Sequence, residues 1–381
     1  MSETEAILSS LIGFPSICGL PNDEIISWIE AHLLASGAKV RRVPGDQLGR
    51  FSLFASVGSE ASGGIILSAH ADVVPVVGQD WSSDPFVMTR VENRLYGRGT
   101  SDMKGFLACM LRAARLAGSG TPLKRPLYLA ISHDEEQGCL GVRSLLADLP
   151  HNDELQIAGC IVGEPTGMQV AVAHKGKIAF EIACLGKAAH SANPFLGKSA
   201  ITLAAYMIEA IAQLQEHIRQ TEQHDMRFTV PFSTVQAGLI SGGVALNIVP
   251  DTCMITAEIR LLPGYDGAPY LDWLKHAAHL ATERLGGGEV QISLINAYPG
   301  LNAAPHSDIC SLALQESGHN QITVIDFGTE AGLFSEKLGV NCVVCGPGSI
   351  GRAHKADEYI TDAELAAADR FIDGILDRLR H

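Results

Sequence analysis

At 381 residues the chain exceeds the about 250–300 residues that one hydrophobic core sustains, so two domains are expected. With 46% hydrophobic and 18% charged residues it reads as an ordinary globular protein, and a formal charge of −14 argues against nucleic acid or an anionic membrane as the main partner. No apolar run reaches about 18 residues and the N-terminus is acidic, so no membrane segment or leader is read and the expected compartment is the cytoplasm, where nine singly scattered cysteines would stay reduced.

In chain order, residues 2–13 and 22–36 have helical spacing, with Ser2 and Asn22 placed as polar caps. Strands are expected at 38–43 and 51–57. A third, the apolar run that starts near residue 64, ends at His70. It has no helical period, as befits a strand covered on both faces. His70 and Asp72 lie two apart in extended backbone and so point the same way. Gly97-Arg98-Gly99 then opens a loop that delivers Asp102 to the start of an apolar helix over 103–116. A buried strand at 127–132 runs straight into His133-Asp134-Glu135-Glu136. A helix at 141–148 leads to a strand at 157–162 and Gly163-Glu164-Pro165. This alternation indicates an α/β layer with a largely parallel sheet.

The rhythm changes at about 176. Residues 177–185 alternate strictly, followed by a helix (198–217), strands at 228–240 and 252–261, a helix (267–285) and a strand (289–295). That order is the βαββαβ, ferredoxin-like unit, here inserted at 176–298 into a discontinuous domain of 1–175 and 299–381. In the strand 252–261 the odd positions are apolar, so Arg260 belongs to the opposite face. After 299 come a helix near 307–317, a strand at 321–325, a short helix after Gly328-Thr329-Glu330 and a strand at 340–345. Cys342 and Cys345 form a C-x-x-C within that strand, where i and i+3 face opposite sides, so they read as core cysteines. The last helix opens on Thr361-Asp362-Ala363-Glu364, a capping box.

His70, Glu135/Glu136, Glu164 and His354 each follow a different expected strand, and Asp102 heads a helix. In open parallel sheets the crevice beyond the carboxyl ends of the strands is where ligands bind. Topology alone therefore gathers two imidazoles and several carboxylates at one edge. One shared carboxylate, two terminal ones and two histidines suit a pair of borderline-soft divalent ions, zinc first, with a carboxylate left over as a base.

Ser68-x-His70-x-Asp72, Gly97-Arg98-Gly99-x-x-Asp102-Met103-Lys104-Gly105, Asp134-Glu135-Glu136, Gly163-Glu164-Pro165 and the late His354 together resemble the dinuclear zinc enzymes of the M20 aminoacylase/carboxypeptidase family. The likeness covers nearly the whole chain. It implies a zinc-peptidase-like catalytic domain and an inserted lid and dimerisation domain. Asp102 would bridge two zinc ions, with cobalt a possible substitute. His70 and Glu164 would complete one ion, Glu136 and His354 the other. Glu135 would be the general base and Asp72 the partner of His70, and the Asp102–Met103 peptide would be cis. His190, in Gly186-Lys187-Ala188-Ala189-His190-Ser191, would steady the oxyanion in a partner subunit's site. Asn247 and Arg260 would hold the substrate carboxylate, with Thr329 and Glu330 also at the substrate.

Within the family, Phe327-Gly328-Thr329-Glu330-Ala331, Gly346-Pro347-Gly348-Ser349-Ile350 and residues 353–359 are most similar to the members that deacetylate N2-acetyl-L-ornithine. The implied partners are an N-acylated amino acid and a second copy of the chain. Rival readings keep the chemistry but take a succinylated diaminopimelate, another N-acyl amino acid or a dipeptide; a rival of another class is a non-catalytic metal or amino-acid binder. His133 departs from the family pattern and could either approach the metals or merely pack.

Overall fold

The computed structural model describes residues 1–149 and 152–381. The chain divides into two compact units, Met1–His174 with Leu301–His381, and Lys175–Gly300.

The first unit opens with α1 (Glu3–Ile12), α2 (Asp23–Ala35), β1 (Lys39–Pro44), β2 (Phe51–Val57) and β3 (Ile65–His70). It continues through β4 (Thr89–Val91), β5 (Arg94–Tyr96), α3 (Lys104–Ser119), β6 (Leu127–Ser132), α4 (Gly141–Asp148), α5 (Asn152–Leu155), β7 (Gly159–Pro165) and β8 (Val170–His174). The second unit holds β9 (Gly176–Leu185), α6 (Ala200–Thr221), β10 (Thr234–Gly242), β11 (Thr252–Leu261), α7 (Ala268–Leu285) and β12 (Glu289–Tyr298). The first then resumes with β13 (Leu301–Asn302), α8 (Asp308–Ser317), β14 (Ile322–Ile325), α9 (Ala331–Leu338), β15 (Cys342–Gly346), β16 (Tyr359–Thr361) and α10 (Asp362–Arg380).

The main sheet runs β1-β2-β6-β3-β7-β15-β8-β13, with β14 against β8. Its centre, β6-β3-β7-β15, is parallel throughout, while β1 and β2 on one flank and β13 on the other pair antiparallel. Every residue of β3, β6, β7 and β15 is buried, which is why these strands show no polar alternation. β3 lies between β6 and β7, so the chain steps to one side after β3 and to the other after β6. Such a reversal opens a crevice at the carboxyl ends of the strands.

The second unit is a four-stranded antiparallel sheet, β10-β11-β9-β12. One face packs Phe180, Ile182, Ile255 and Ile259 against Leu203, Met207, Leu214 and Leu274 of α6 and α7. The alternating burial of β11 puts Arg260 on the other face, as its period demands. All nine cysteines are free, and Cys342 and Cys345 are buried. Among the described residues no helix is long and apolar enough to cross a membrane.

Three local expectations are corrected. The strand expected over 228–240 begins at Thr234, because Pro231 has no N–H and the carbonyls of Val230 and Phe232 are taken by Lys175 Nζ at 2.8 and 2.9 Å. Asn22 does not cap α2. Its amide instead pairs with the backbone of Phe51, Nδ2 donating to the carbonyl at 2.8 Å and Oδ1 accepting the N–H at 2.9 Å. The third difference is a small sheet, β16-β5-β4, where the sequence pattern reads as loop. Ser2 and the Thr361/Glu364 capping box do cap α1 and α10.

Candidate metal centre

Four strand ends and one helix start supply the centre. His70 is the last residue of β3, Glu164 lies at the end of β7, Glu135 and Glu136 follow β6, and His354 follows β15. Asp102 arrives from the loop before α3 through a cis Asp102–Met103 peptide, as the resemblance implies.

Asp102 offers one oxygen to each imidazole: Oδ1 lies 3.1 Å from His70 Nε2 and Oδ2 lies 3.3 Å from His354 Nε2. Glu164 Oε1 is 3.6 Å from His70 Nε2, and Glu136 is 3.0 Å from His354 Nε2. His70, Asp102 and Glu136 form one group whose ligand atoms all lie within 4.8 Å of one another; His70, Glu135 and Glu164 form another. Glu135, read from sequence as the base, thus also lies within ligand reach.

The charges explain what the cluster demands. The side chains of His70, Asp102, Glu164 and Glu136 are 1, 5, 6 and 7% exposed, and only His354 is open, at 50%. Burial raises the Glu135, Glu136 and Glu164 carboxyls above their ordinary range, and neighbouring carboxylates add to it. Asp102 moves the other way: burial opposes ionisation, but the bonds to His354 and His70 outweigh it. His70 is raised in spite of its burial by Asp102 and Asp72, and His354 is raised to about 10 by Asp102 and Glu136. Four carboxylates therefore crowd around two imidazoles in low dielectric. That excess of buried negative charge calls for cations. Imidazole and carboxylate donors, with one carboxylate split between the two histidines, fit a pair of divalent ions.

Four sets of contacts support the cluster. His70 Nδ1 lies 2.9 Å from the backbone carbonyl of Asp72 and 3.6 Å from its carboxylate. The Asp72 carboxylate also accepts the backbone N–H groups of Glu135 and Glu136, each at 3.2 Å, and so aims the acidic turn. Asp134 does structural work, taking Gly19 N and Arg50 Nη1, both at 2.6 Å. The buried Cys139 thiol donates to Glu135 Oε1 at 3.3 Å. Nothing but its place four residues on marks Cys139 in the sequence.

His133 packs and does not approach the cluster: its Nδ1 lies 2.9 Å from Ser52 Oγ, and burial lowers its pKa. Thr329 and Glu330, expected at the substrate, are 0 and 1% exposed. Thr329 Oγ1 lies 3.1 Å from His174 Nε2 and accepts Ala331 N. Ser68 Oγ donates to Glu330 Oε2 at 3.2 Å, and burial raises this carboxyl to about 7. Both immediately precede α9 and face inward, Thr329 toward the end of β8 and Glu330 toward β3.

In the second unit His190 is exposed and its Nδ1 accepts Ala192 N at 3.1 Å. Asn247 is exposed, its carbonyl taking Ser191 N at 3.0 Å. Arg260 is half-buried and pairs with Glu258 at 3.1 Å, with Tyr298 Oη at 3.4 Å.

Residues 66–378 match the family model for peptidase family M20/M25/M40. The chain belongs to this family. An acetylornithine deacetylase from Salmonella heidelberg (strain SL476) is 36% identical over 327 residues, covering 86% of this chain and 82% of that protein. An M20 family metallo-carboxypeptidase from Sulfolobus solfataricus superimposes with a TM-score of 0.80 at 20% identity, covering 100% of both chains. A dinuclear metal-binding M20 peptidase from Bacillus subtilis does so with a TM-score of 0.68 at 16% identity, covering 99% of this chain and 97% of that one. The structural likenesses establish the M20 fold, and the family match makes the chain an amide-hydrolysing enzyme.

Proposed function

We propose that this M20 enzyme removes the acetyl group from N2-acetyl-L-ornithine, giving acetate and L-ornithine. The observation that carries the reading is the 36% identity with the Salmonella deacetylase over 86% of the chain. The donor set suits zinc, with cobalt a possible substitute. His70 and Glu164 would hold one ion, Glu136 and His354 the other, and Asp102 both. When bound, such a pair polarises the amide carbonyl and makes water acidic enough to yield its proton near neutrality.

Glu135 is the base in this reading. Its carboxylate takes a proton from the attacking water and returns it to the departing α-amine. The Cys139 thiol fixes the carboxylate on one side. His190 supplies the oxyanion donor: with Nδ1 accepting the Ala192 amide, the neutral ring carries its proton on Nε2. Arg260 and Asn247 hold the substrate carboxylate, Arg260 dividing its guanidinium between that group and Glu258.

The reading includes a homodimer joined through the inserted unit, with His190 serving the neighbouring subunit. Supporting it, the edge strand β10 presents Leu239 and Ile240 at 70 and 58% exposure, the kind of edge a second copy covers.

Steady-state assays on N2-acetyl-L-ornithine, an N-succinylated diaminopimelate and a dipeptide, each with zinc and with cobalt, test the proposal. Acetylornithine should be preferred in kcat/KM by about 100-fold or more, at or above the roughly 10–200-fold that the fit of an apolar pocket alone supplies. Equal or faster turnover of another member of the panel overturns the substrate assignment.

A further inference from the structure

Asp102 and His354 arrive on segments far apart in the chain, yet one buried carboxylate fastens both. Glu358 is 1% exposed. Its Oε2 accepts Arg98 Nη1 at 2.6 Å and Gly99 N at 3.1 Å, and its Oε1 accepts Ser101 N at 2.9 Å and Asp102 N at 3.1 Å. The small sheet brings it there. β5 ends at Tyr96 and β16 begins at Tyr359, and these two residues are paired across the sheet. Gly97 N consequently donates to the Glu358 carbonyl at 2.9 Å.

The connection continues to His354. Arg98, also 1% exposed, donates from Nη2 to Gln79 Oε1 at 2.6 Å and from Nη1 to the Lys355 carbonyl at 3.3 Å. Gln79 Nε2 donates to the His354 carbonyl at 2.9 Å. His354 itself sits at φ 62°, a left-handed conformation that a non-glycine residue keeps only when its surroundings hold it. Side chains and backbone thus run unbroken from the Asp102 amide through Glu358, Arg98 and Gln79 to the His354 carbonyl.

The chemistry requires a carboxylate at 358. Four donors converge on its two oxygens, and only an ionised carboxyl offers acceptors alone. A glutamine would turn one oxygen into an N–H group facing other donors. We infer that Glu358 is a positioning residue of the metal centre, holding the Asp102 carboxylate and, through Arg98 and Gln79, the His354 loop at the spacing that two cations need. This rests on reading Asp102 and His354 as ligands and is independent of the substrate.

The test titrates metal-free wild type, Glu358→Gln and Gln79→Leu with Zn2+ alone against a chromophoric chelator. The visible absorption of Co2+-loaded protein reports ligand geometry, and thermal melting of the metal-free proteins reports the fold. Losing a contact that orients a ligand weakens metal binding by about 10–100-fold. Glu358→Gln should lose that much for both ions and change the Co2+ spectrum. Gln79→Leu, which removes the contacts to the His354 carbonyl, Arg98 Nη2 and Trp81 Nε1 but leaves the four donors on Glu358 in place, should weaken one ion by about 10-fold and leave the other. Wild-type Zn2+ affinity and Co2+ spectra in both variants overturn the inference, even if melting of the metal-free proteins is lowered. If Glu358→Gln does not fold, Gln79→Leu decides alone, since Gln79 is half-buried and outside the core. A wild type that takes up no Zn2+ instead overturns the ligand reading beneath it.

Discussion

Gly163→Ala is the smallest change that should disturb both the core and the metal centre. Gly163 lies on β7, one residue before Glu164, and faces Phe106 on α3, the helix that Asp102 leads into. A Cβ at position 163 would fall 1.8 Å from Phe106 Cδ1, 2.1 Å from Cγ and 2.3 Å from Cε1. Carbon–carbon contacts settle at about 3.5–4 Å, so ring or strand must retreat by roughly 2 Å. Phe106 is 1% exposed, so its ring is covered by the fold on all sides. Overpacking of this kind costs about 1–3 kcal/mol, and the depth of the clash puts this case near 3. The assay is urea unfolding of metal-free protein, read as a lower midpoint at unchanged slope. Phe106→Leu should relieve the clash, so the double variant should be less destabilised than the two singles together by about 1 kcal/mol or more. A wild-type midpoint for Gly163→Ala, or additive effects in the pair, would refute the argument that the ring dictates glycine here.

Cys139→Ala should lower kcat by about 2–10-fold, the worth of one hydrogen bond of about 0.5–1.5 kcal/mol, and Cys139→Ser should restore most of it; equal losses in both variants would mean that packing, not the donor, matters. Burial holds the His32 imidazole below its ordinary pKa, and its Nε2 has no partner while the ring stacks on Trp28. The unfolded chain therefore takes up this proton first, and the stability that His32 contributes above the unfolded pKa drains away as pH falls through about 6.5. The melting temperature of His32→Phe relative to wild type should accordingly rise between pH 7.5 and 5.5, and a difference independent of pH would contradict the assignment. Chelation should lower the melting temperature, and readdition of Zn2+ at 100 times its dissociation constant should recover about 2.7 kcal/mol. A melting temperature indifferent to metal would mean that the cluster binds none.

The catalytic layer was legible because its strands are buried on both faces. Ile65–Leu67 and Leu127–Ile131 read as apolar runs, and the strands that hold them end in the polar residues that the crevice collects. Arg260 was placed on the correct face by the period of β11 alone. What the sequence hid are pairings that no local pattern encodes. Asn22 caps nothing because Phe51 offers it two backbone partners from another strand. β5 and β16, three residues each, are too short to show a periodic face, so the partners of Glu358 could not be foreseen. Asp72 partners His70 as its spacing suggests, but its carboxylate also orients the turn at Glu135 and Glu136, a contact between loops that no local pattern encodes. Thr329 and Glu330 carry polar side chains that suggest a ligand, but His174 and Ser68 engage them within the fold.

The most direct test of the account is Glu135→Gln, followed for bound zinc and for turnover of N2-acetyl-L-ornithine in the same preparation. Two zinc ions per chain are expected, as in wild type, with kcat reduced by about 10²–10⁴, the range for losing general acid–base catalysis. Loss of zinc in step with activity would make Glu135 a ligand, as its place beside His70 and Glu164 allows. Full zinc with undiminished kcat would contradict the central claim.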